Sequence, residues 1–147
     1  MTAQARDASA ANRWPAKRVL LVDDEARLRG ILARYLRARG HVVLEASTAA
    51  EARAALADGP LDVLLLDVNL PDETGWAVLR WARARALNAP PDWRPPCVVV
   101  MSAVPPSSTR VEQFGPEAVL NKPFPIEALA RLVELSCQPS ALANADA

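Results

Sequence analysis

Four short apolar runs of the chain each stop on a charged or hydroxyl-bearing residue, and this repetition constrains the fold more than any other feature. Val19, Leu20, Leu21 and Val22 stop at Asp23-Asp24. The run 61–66 stops at Asp67, 97–101 at Ser102, and the short 118–121 at Lys122. Continuous runs of this length, rich in valine and leucine, are what a strand covered on both faces requires, and the polar residue then marks the strand's exit from the core. A further strand is predicted over 41–45.

The segments between the runs have helical spacing. From Glu25, the residues Leu28, Ile31, Leu32, Tyr35 and Leu36 form one apolar stripe with arginines opposite, and Gly40 is a C-terminal stop. Thr48-Ala49-Ala50-Glu51 has the form of a capping box opening a second helix that Gly59-Pro60 closes. Gly75 leads a third helix to about Ala86. Residues 88–96 hold too many prolines for regular structure, because each removes a donor and fixes a dihedral. Residues 104–115 should hold a fourth helix, short or irregular on account of its prolines and serines. Ile126, Leu129, Leu132, Val133 and Leu135 mark a last helix with Pro125 at its first turn. Alternating strands and helices require a parallel sheet with right-handed crossovers and helices on both faces. One such domain accounts for residues 17–137, with tails at 1–16 and 138–147.

Composition excludes several classes. Lysine plus arginine number 17 and aspartate plus glutamate 17, so net charge offers no argument for direct nucleic-acid binding. No stretch is long and apolar enough for a secretory leader or a membrane span, which gives the expectation of a cytoplasmic protein without membrane insertion. Cys97 and Cys137 are far apart in sequence with no histidine nearby, and are expected to be buried free thiols. His41 is expected at the surface, at the sheet end opposite Asp67. Of Trp14, Trp76, Trp81 and Trp93, most should pack under loops or between elements, and one in an exposed loop could anchor a partner.

In open parallel sheets, ligands bind beyond the carboxyl ends of the strands. Asp23, Asp24, Asp67, Ser102 and Lys122 all fall at that end. Individually each has an ordinary reading, as a helix cap, a loop start or a surface turn; the ordered set is far more specific. Three close carboxylates repel one another unless cations are present. Lys122 supplies one positive charge, and a hard divalent ion with oxygen ligands, Mg²⁺, would supply the rest.

Val-Asp-Asp-Glu at 22–25, Leu-Leu-Leu-Asp at 64–67, Leu-Pro-Asp-Glu-Thr-Gly at 70–75, Met-Ser-Ala at 101–103 and Asn-Lys-Pro-Phe at 121–124 together resemble the receiver domain of two-component response regulators, over about 17–137. The resemblance implies a flavodoxin-like, doubly wound sheet of strand order 2-1-3-4-5, an order given for a member of this family in general accounts of the fold. It implies that Asp67 is the phosphoacceptor. Asp24, Asp67 and the Asn69 carbonyl would ligate Mg²⁺, with Asp23 acting through water. Ser102 and Lys122 would bind phosphoryl oxygens, and the Lys122-Pro123 bond would be cis.

A sensor histidine kinase or phosphotransfer protein would be the donor. Because only residues 138–147 follow, a stand-alone receiver acting through a separate, unidentified output protein is expected, with a homodimer possible. Such a protein is not an enzyme beyond its own phosphorylation and slow dephosphorylation. Val119 stands where the family's switching aromatic is usual, so a constitutive interaction module is the alternative. A hydrolase using aspartyl phosphate would need an acid at position 69, where the chain has asparagine.

Overall fold

A computed structural model describes residues 15–137. Trp14 and the rest of 1–14 lie outside the described residues, as does the tail 138–147. The strands are β1 Arg18–Val22, β2 Val42–Ala46, β3 Val63–Asp67, β4 Cys97–Ser102 and β5 Ala118–Asn121. Between and after them run α1 Ala26–Ala38, α2 Ala49–Asp58, α3 Gly75–Ala86, α4 Ser108–Phe114 and α5 Ile126–Arg131, the last continuing into a π-helical turn, Leu132–Ser136. All four strand pairings are parallel, in the order β2-β1-β3-β4-β5. This is the doubly wound architecture expected of the sequence.

Strand pleating divides the core in two. Val19 and Leu21 of β1 and Val63 and Leu65 of β3 face Leu32 and Leu36 of α1 and Leu129 and Val133 of the last helix. Leu20, Val22, Leu64 and Leu66 point the other way, onto Ala52 of α2, Leu79 of α3 and Phe114 of α4. The side chains of Val63, Leu64, Leu65 and Leu66 are at most 1% exposed, and full burial of such a side chain stabilises by about 2 kcal/mol. Hence β3, central in the sheet, is a rigid mount for the residue at its end. The edge strand β2 leaves Val42 and Leu44 partly exposed.

Local signals work as their chemistry dictates. Thr48 Oγ1 accepts from Glu51 N–H, while the Glu51 carboxylate reaches back to Ser47, one residue earlier than a strict capping box requires. The fourth helix is short, as expected, yet regular: Ser107 caps its start and Gly115, at φ 56°, ends it in the left-handed region. Residues 88–96 form no helix or strand. Trp76 is buried against Phe114, with ring centroids 5.1 Å apart; Trp81, stacked by Arg85, and Trp93 are half-buried.

Two expectations are overturned. Cys97 and Cys137 form a disulfide, with Cα atoms 5.5 Å apart, because the return of the last helix across the sheet brings its end to the start of β4. No sequence pattern reports that meeting. His41 is buried at 5% exposure: its Nδ1 accepts from Lys17 N–H at 3.1 Å, and its Nε2 lies 2.9 Å from Glu134 of the π-helical turn. Position at a strand start located His41 at the correct end of the sheet, but the last helix covers it.

Candidate functional site

Parallel strands share one direction, so the ends of β1, β3, β4 and β5 open on a common edge. Asp23 follows β1 fully buried, Asp24 follows it exposed, and Asp67 ends β3 at 5% exposure. One carboxylate oxygen from each of these acids lies within 4.8 Å of the others. Lys122, just past β5, donates from Nζ to Asp23 Oδ2 at 2.8 Å and to Asp67 Oδ2 at 3.4 Å. Its backbone N–H donates to the Ser102 carbonyl at 2.7 Å, tying the ends of β4 and β5 together. The Lys122-Pro123 peptide is cis.

The charges are incompletely balanced. Burial, followed by repulsion from Asp23, raises the Asp67 pKa to about 6, against the opposing pull of Lys122 and the Asn69 N–H. Burial also disfavours the Lys122 ammonium, yet the hydrogen bonds and charges of Asp23 and Asp67 hold its pKa above the ordinary lysine range. Three carboxylates facing one ammonium leave room for further positive charge. A cluster of hard oxygen donors around a partly desolvated acid fits a hard divalent cation.

The surrounding loop is held from several sides. The Asn69 N–H donates to Asp67 Oδ1 at 3.3 Å, Val68 N–H to the Met101 carbonyl at 3.0 Å, and Gly75 N–H to the Val68 carbonyl at 2.7 Å. Asp72 accepts from the N–H groups of Ala49 and Ala50, so the loop after β3 is pinned to the start of α2. Those backbone hydrogen bonds hold the Asp72 carboxyl below its usual range. Thr74 caps α3 through Ala77 N–H. A Cβ on Gly75 would fall 2.2 Å from the Asp67 carbonyl oxygen, so only glycine lets α3 start this close to the end of β3.

Asp23, Asp24, Asp67 and Lys122 are therefore assembled as the sequence suggested. Ser102 is at the same edge, but its hydroxyl is engaged with Val104: it donates to the Val104 carbonyl and accepts from Val104 N–H at 3.2 Å. Asn69 is exposed two residues past Asp67. Val119 lies opposite Val100 on β5, half-buried against the core on the α2, α3 and α4 side. Sequence reasoning missed the anchoring work of Asp72, the close approach at Gly75, and the support of Asp23 by Glu25 N–H at 2.9 Å and Arg29 at its carbonyl. The Leu-Pro-Asp-Glu-Thr-Gly stretch contained Asp72 and Gly75, but only their neighbours in space reveal what they do.

Residues 19–134 match the response regulator receiver domain family, and the chain belongs to it. Its similarities define a class of signalling proteins. The chain is 36% identical over 121 residues to the transcriptional regulatory protein GltR of Pseudomonas aeruginosa, covering 80% of this chain and 48% of GltR. It is 39% identical over 117 residues to the transcriptional regulatory protein KdpE of Mycobacterium tuberculosis, covering 78% of this chain and 48% of KdpE. The chain thus spans about half the length of these relatives. Among solved structures, the response regulator TrrA of Thermotoga maritima, in complex with Mg²⁺-BeF, superposes with a TM-score of 0.67 at 23% identity, over 80% of this chain and 96% of TrrA. That likeness concerns the fold. Among the described residues, no helix is long and apolar enough to cross a membrane.

Proposed function

We propose that this receiver domain is a phosphoryl-accepting switch in a two-component or phosphorelay pathway, phosphorylated on Asp67. The observation that carries this reading is the convergence of a buried strand-end carboxylate, two further acids and one ammonium at a single edge. An ionised Asp67 oxygen attacks the phosphorus in line, and the leaving group departs on the opposite side. The phosphohistidine of a sensor kinase or phosphotransfer protein, or a small acyl phosphate, supplies the group.

Asp24, Asp67 and the Asn69 carbonyl, with Asp23 acting through water, would hold Mg²⁺, which when bound would supply charge neutralisation. Lys122, already within reach of Asp67, would turn its ammonium to a phosphoryl oxygen. The Ser102 hydroxyl would exchange the Val104 carbonyl for another of these oxygens, pulling the loop after β4 with it. The signal then passes to an output element, on another protein, on a second copy or on a further domain.

A constitutive interaction module is favoured by one observation: Val119, where the family resemblance implies a switching aromatic, is packed against the core. The two readings diverge under a simple measurement. With Mg²⁺ and acetyl phosphate, or with beryllofluoride, the wild-type protein should gain an adduct by intact mass or shift its NMR spectrum, and Asp67→Asn should do neither. Absence of any Asp67-dependent change would leave only the module.

A further inference from the structure

We propose that Cys97 and Cys137 form a reversible thiol–disulfide exchange site, served by a dithiol reductant, that latches the C-terminal end of the last helix. The two Cα atoms are 5.5 Å apart across 40 residues of sequence, a separation that suits either a disulfide or a pair of thiols. The site is remote from the acidic edge. Cys97 pairs with Val63 at the start of β3, four residues and roughly 13 Å of strand before Asp67. The inference therefore does not rest on the phosphoacceptor reading.

The two ends of the disulfide are held unequally. Cys97 starts a central strand, with its N–H on the Asp62 carbonyl at 2.9 Å and its neighbours in the β3 ladder. Cys137 follows a π-helical turn and is joined to it by its N–H on the Leu132 carbonyl at 3.1 Å. The buried Lys17 ammonium bonds the carbonyls of Val133 and Cys137, and Glu134 is gripped by Arg39 at 2.6 Å and His41 at 2.9 Å. Those contacts hold Val133 and Glu134 with or without the disulfide, whereas Cys137 itself keeps two hydrogen bonds besides, its carbonyl to Lys17 and its N–H to Leu132. Beyond them, Leu135 is 43% exposed, and the covalent bond is the strongest tie on the chain as it leaves the domain. Breaking it releases the end of the helix while the remainder stays docked.

Cys97 is half-buried and Cys137 is 3% exposed, so an incoming thiolate attacks Cys97 Sγ. The S–S bond breaks, and its electron pair leaves on Cys137 Sγ. The Lys17 ammonium, bound to the carbonyl of the same residue, favours that anion. The reductant's second thiolate then attacks its own sulfur in the mixed disulfide and releases Cys97. Both cysteine thiolates take up protons, and the dithiol is left as its disulfide: two electrons and two protons have moved.

The test uses the full chain and dithiothreitol as the dithiol, with alkylation and intact mass to count thiols and hydrogen exchange to locate the response. Reduction of the folded protein should expose two thiols and speed exchange at 135–137 roughly tenfold, while the amides of β1 and β3 keep their protection. Cys137→Ser should reproduce the faster exchange without reductant. Unchanged exchange at 135–137 in the reduced protein or in the variant would overturn the latch. So would thiols that appear only when the whole domain unfolds, which would make the disulfide a global staple. Beryllofluoride should bind Asp67 equally in both redox states; binding in neither would count against the phosphoacceptor reading and leave the latch standing.

Discussion

The two ends of the parallel sheet handle charge in opposite ways. At the carboxyl end, Asp23 and Asp67 share the one ammonium of Lys122 with Asp24 beside them, and Asp67 is left with its pKa raised to about 6 by burial and by Asp23. At the amino end, Glu134 is more buried than most carboxylates tolerate, yet Arg39 and His41 bond it and bring its pKa below the ordinary value against the cost of burial. His41 Nδ1 is occupied as an acceptor by the Lys17 N–H, which directs the proton of the neutral ring to Nε2 and so toward Glu134. One end stores unbalanced negative charge that a cation can offset. The other pairs Glu134 with Arg39 and His41 and has a disulfide alongside, while burial lowers the pKa of the neighbouring Lys17 ammonium. The two ends are therefore built for different changes: charge at the carboxyl end, and a covalent tie at the amino end.

The comparison can be broken at several points, and the largest effect is expected at the amino end. Glu134→Ala leaves the His41 Nε2–H buried without its acceptor and removes the Arg39 partner, which should cost about 3 kcal/mol in urea unfolding. Phosphorylation of the folded fraction should be unchanged. A loss below about 1 kcal/mol, or an altered acetyl-phosphate reaction, would show that the two ends are not divided in this way.

The next effect lies at the carboxyl end. Gly75→Ala forces a Cβ onto the Asp67 carbonyl, and relief requires α3 to shift from β3. Overpacking of this kind costs about 2 kcal/mol, and because it displaces the acceptor strand it should also slow adduct formation in the acetyl-phosphate assay. Full stability with an unchanged rate would show that the loop yields freely.

The smallest effect separates the ends by pH. In cation-free protein, Asp67 has a folded pKa above its unfolded value, so ionising it opposes folding; stability should rise by on the order of 1 kcal/mol as pH falls from 7 to 5. Asp67→Asn should flatten that rise. Glu134 has the opposite sign: its folded pKa is depressed, so its contribution is present above the ordinary glutamate range and is lost as pH falls through the folded value. A denaturation series should therefore show a gain followed by a loss, and Glu134→Gln should remove part of the loss only. Adding Mg²⁺ at neutral pH should raise the midpoint in wild type more than in Asp67→Asn.

Most of the acidic edge could be read before folding was considered. A strand that must be buried on both faces can end in a carboxylate only where it leaves the core, so Asp23, Asp24 and Asp67 announced themselves as neighbours in a parallel sheet. Lys122 followed because its strand runs the same way. Ser102 was located at this edge, and its hydrogen bonds with Val104 run through a turn that no periodicity records. The amino end was misread for a different reason. The side-chain partners of His41 and Cys97, Glu134 and Cys137, lie in and just after the last helical turn, 93 and 40 residues away.

Sequence alone thus determined the sheet, its polarity and the edge at which chemistry can occur, because hydrophobic periodicity and strand-end charge are local properties written into consecutive residues. Tertiary structure decided which groups meet at long range: the disulfide, the His41–Glu134–Arg39 cluster, the anchoring of α2 by Asp72 and the tolerance for nothing larger than glycine at position 75. These depend on how the last helix and the loop after β3 close over the sheet. That closure is set by packing of the whole core and not by any one segment.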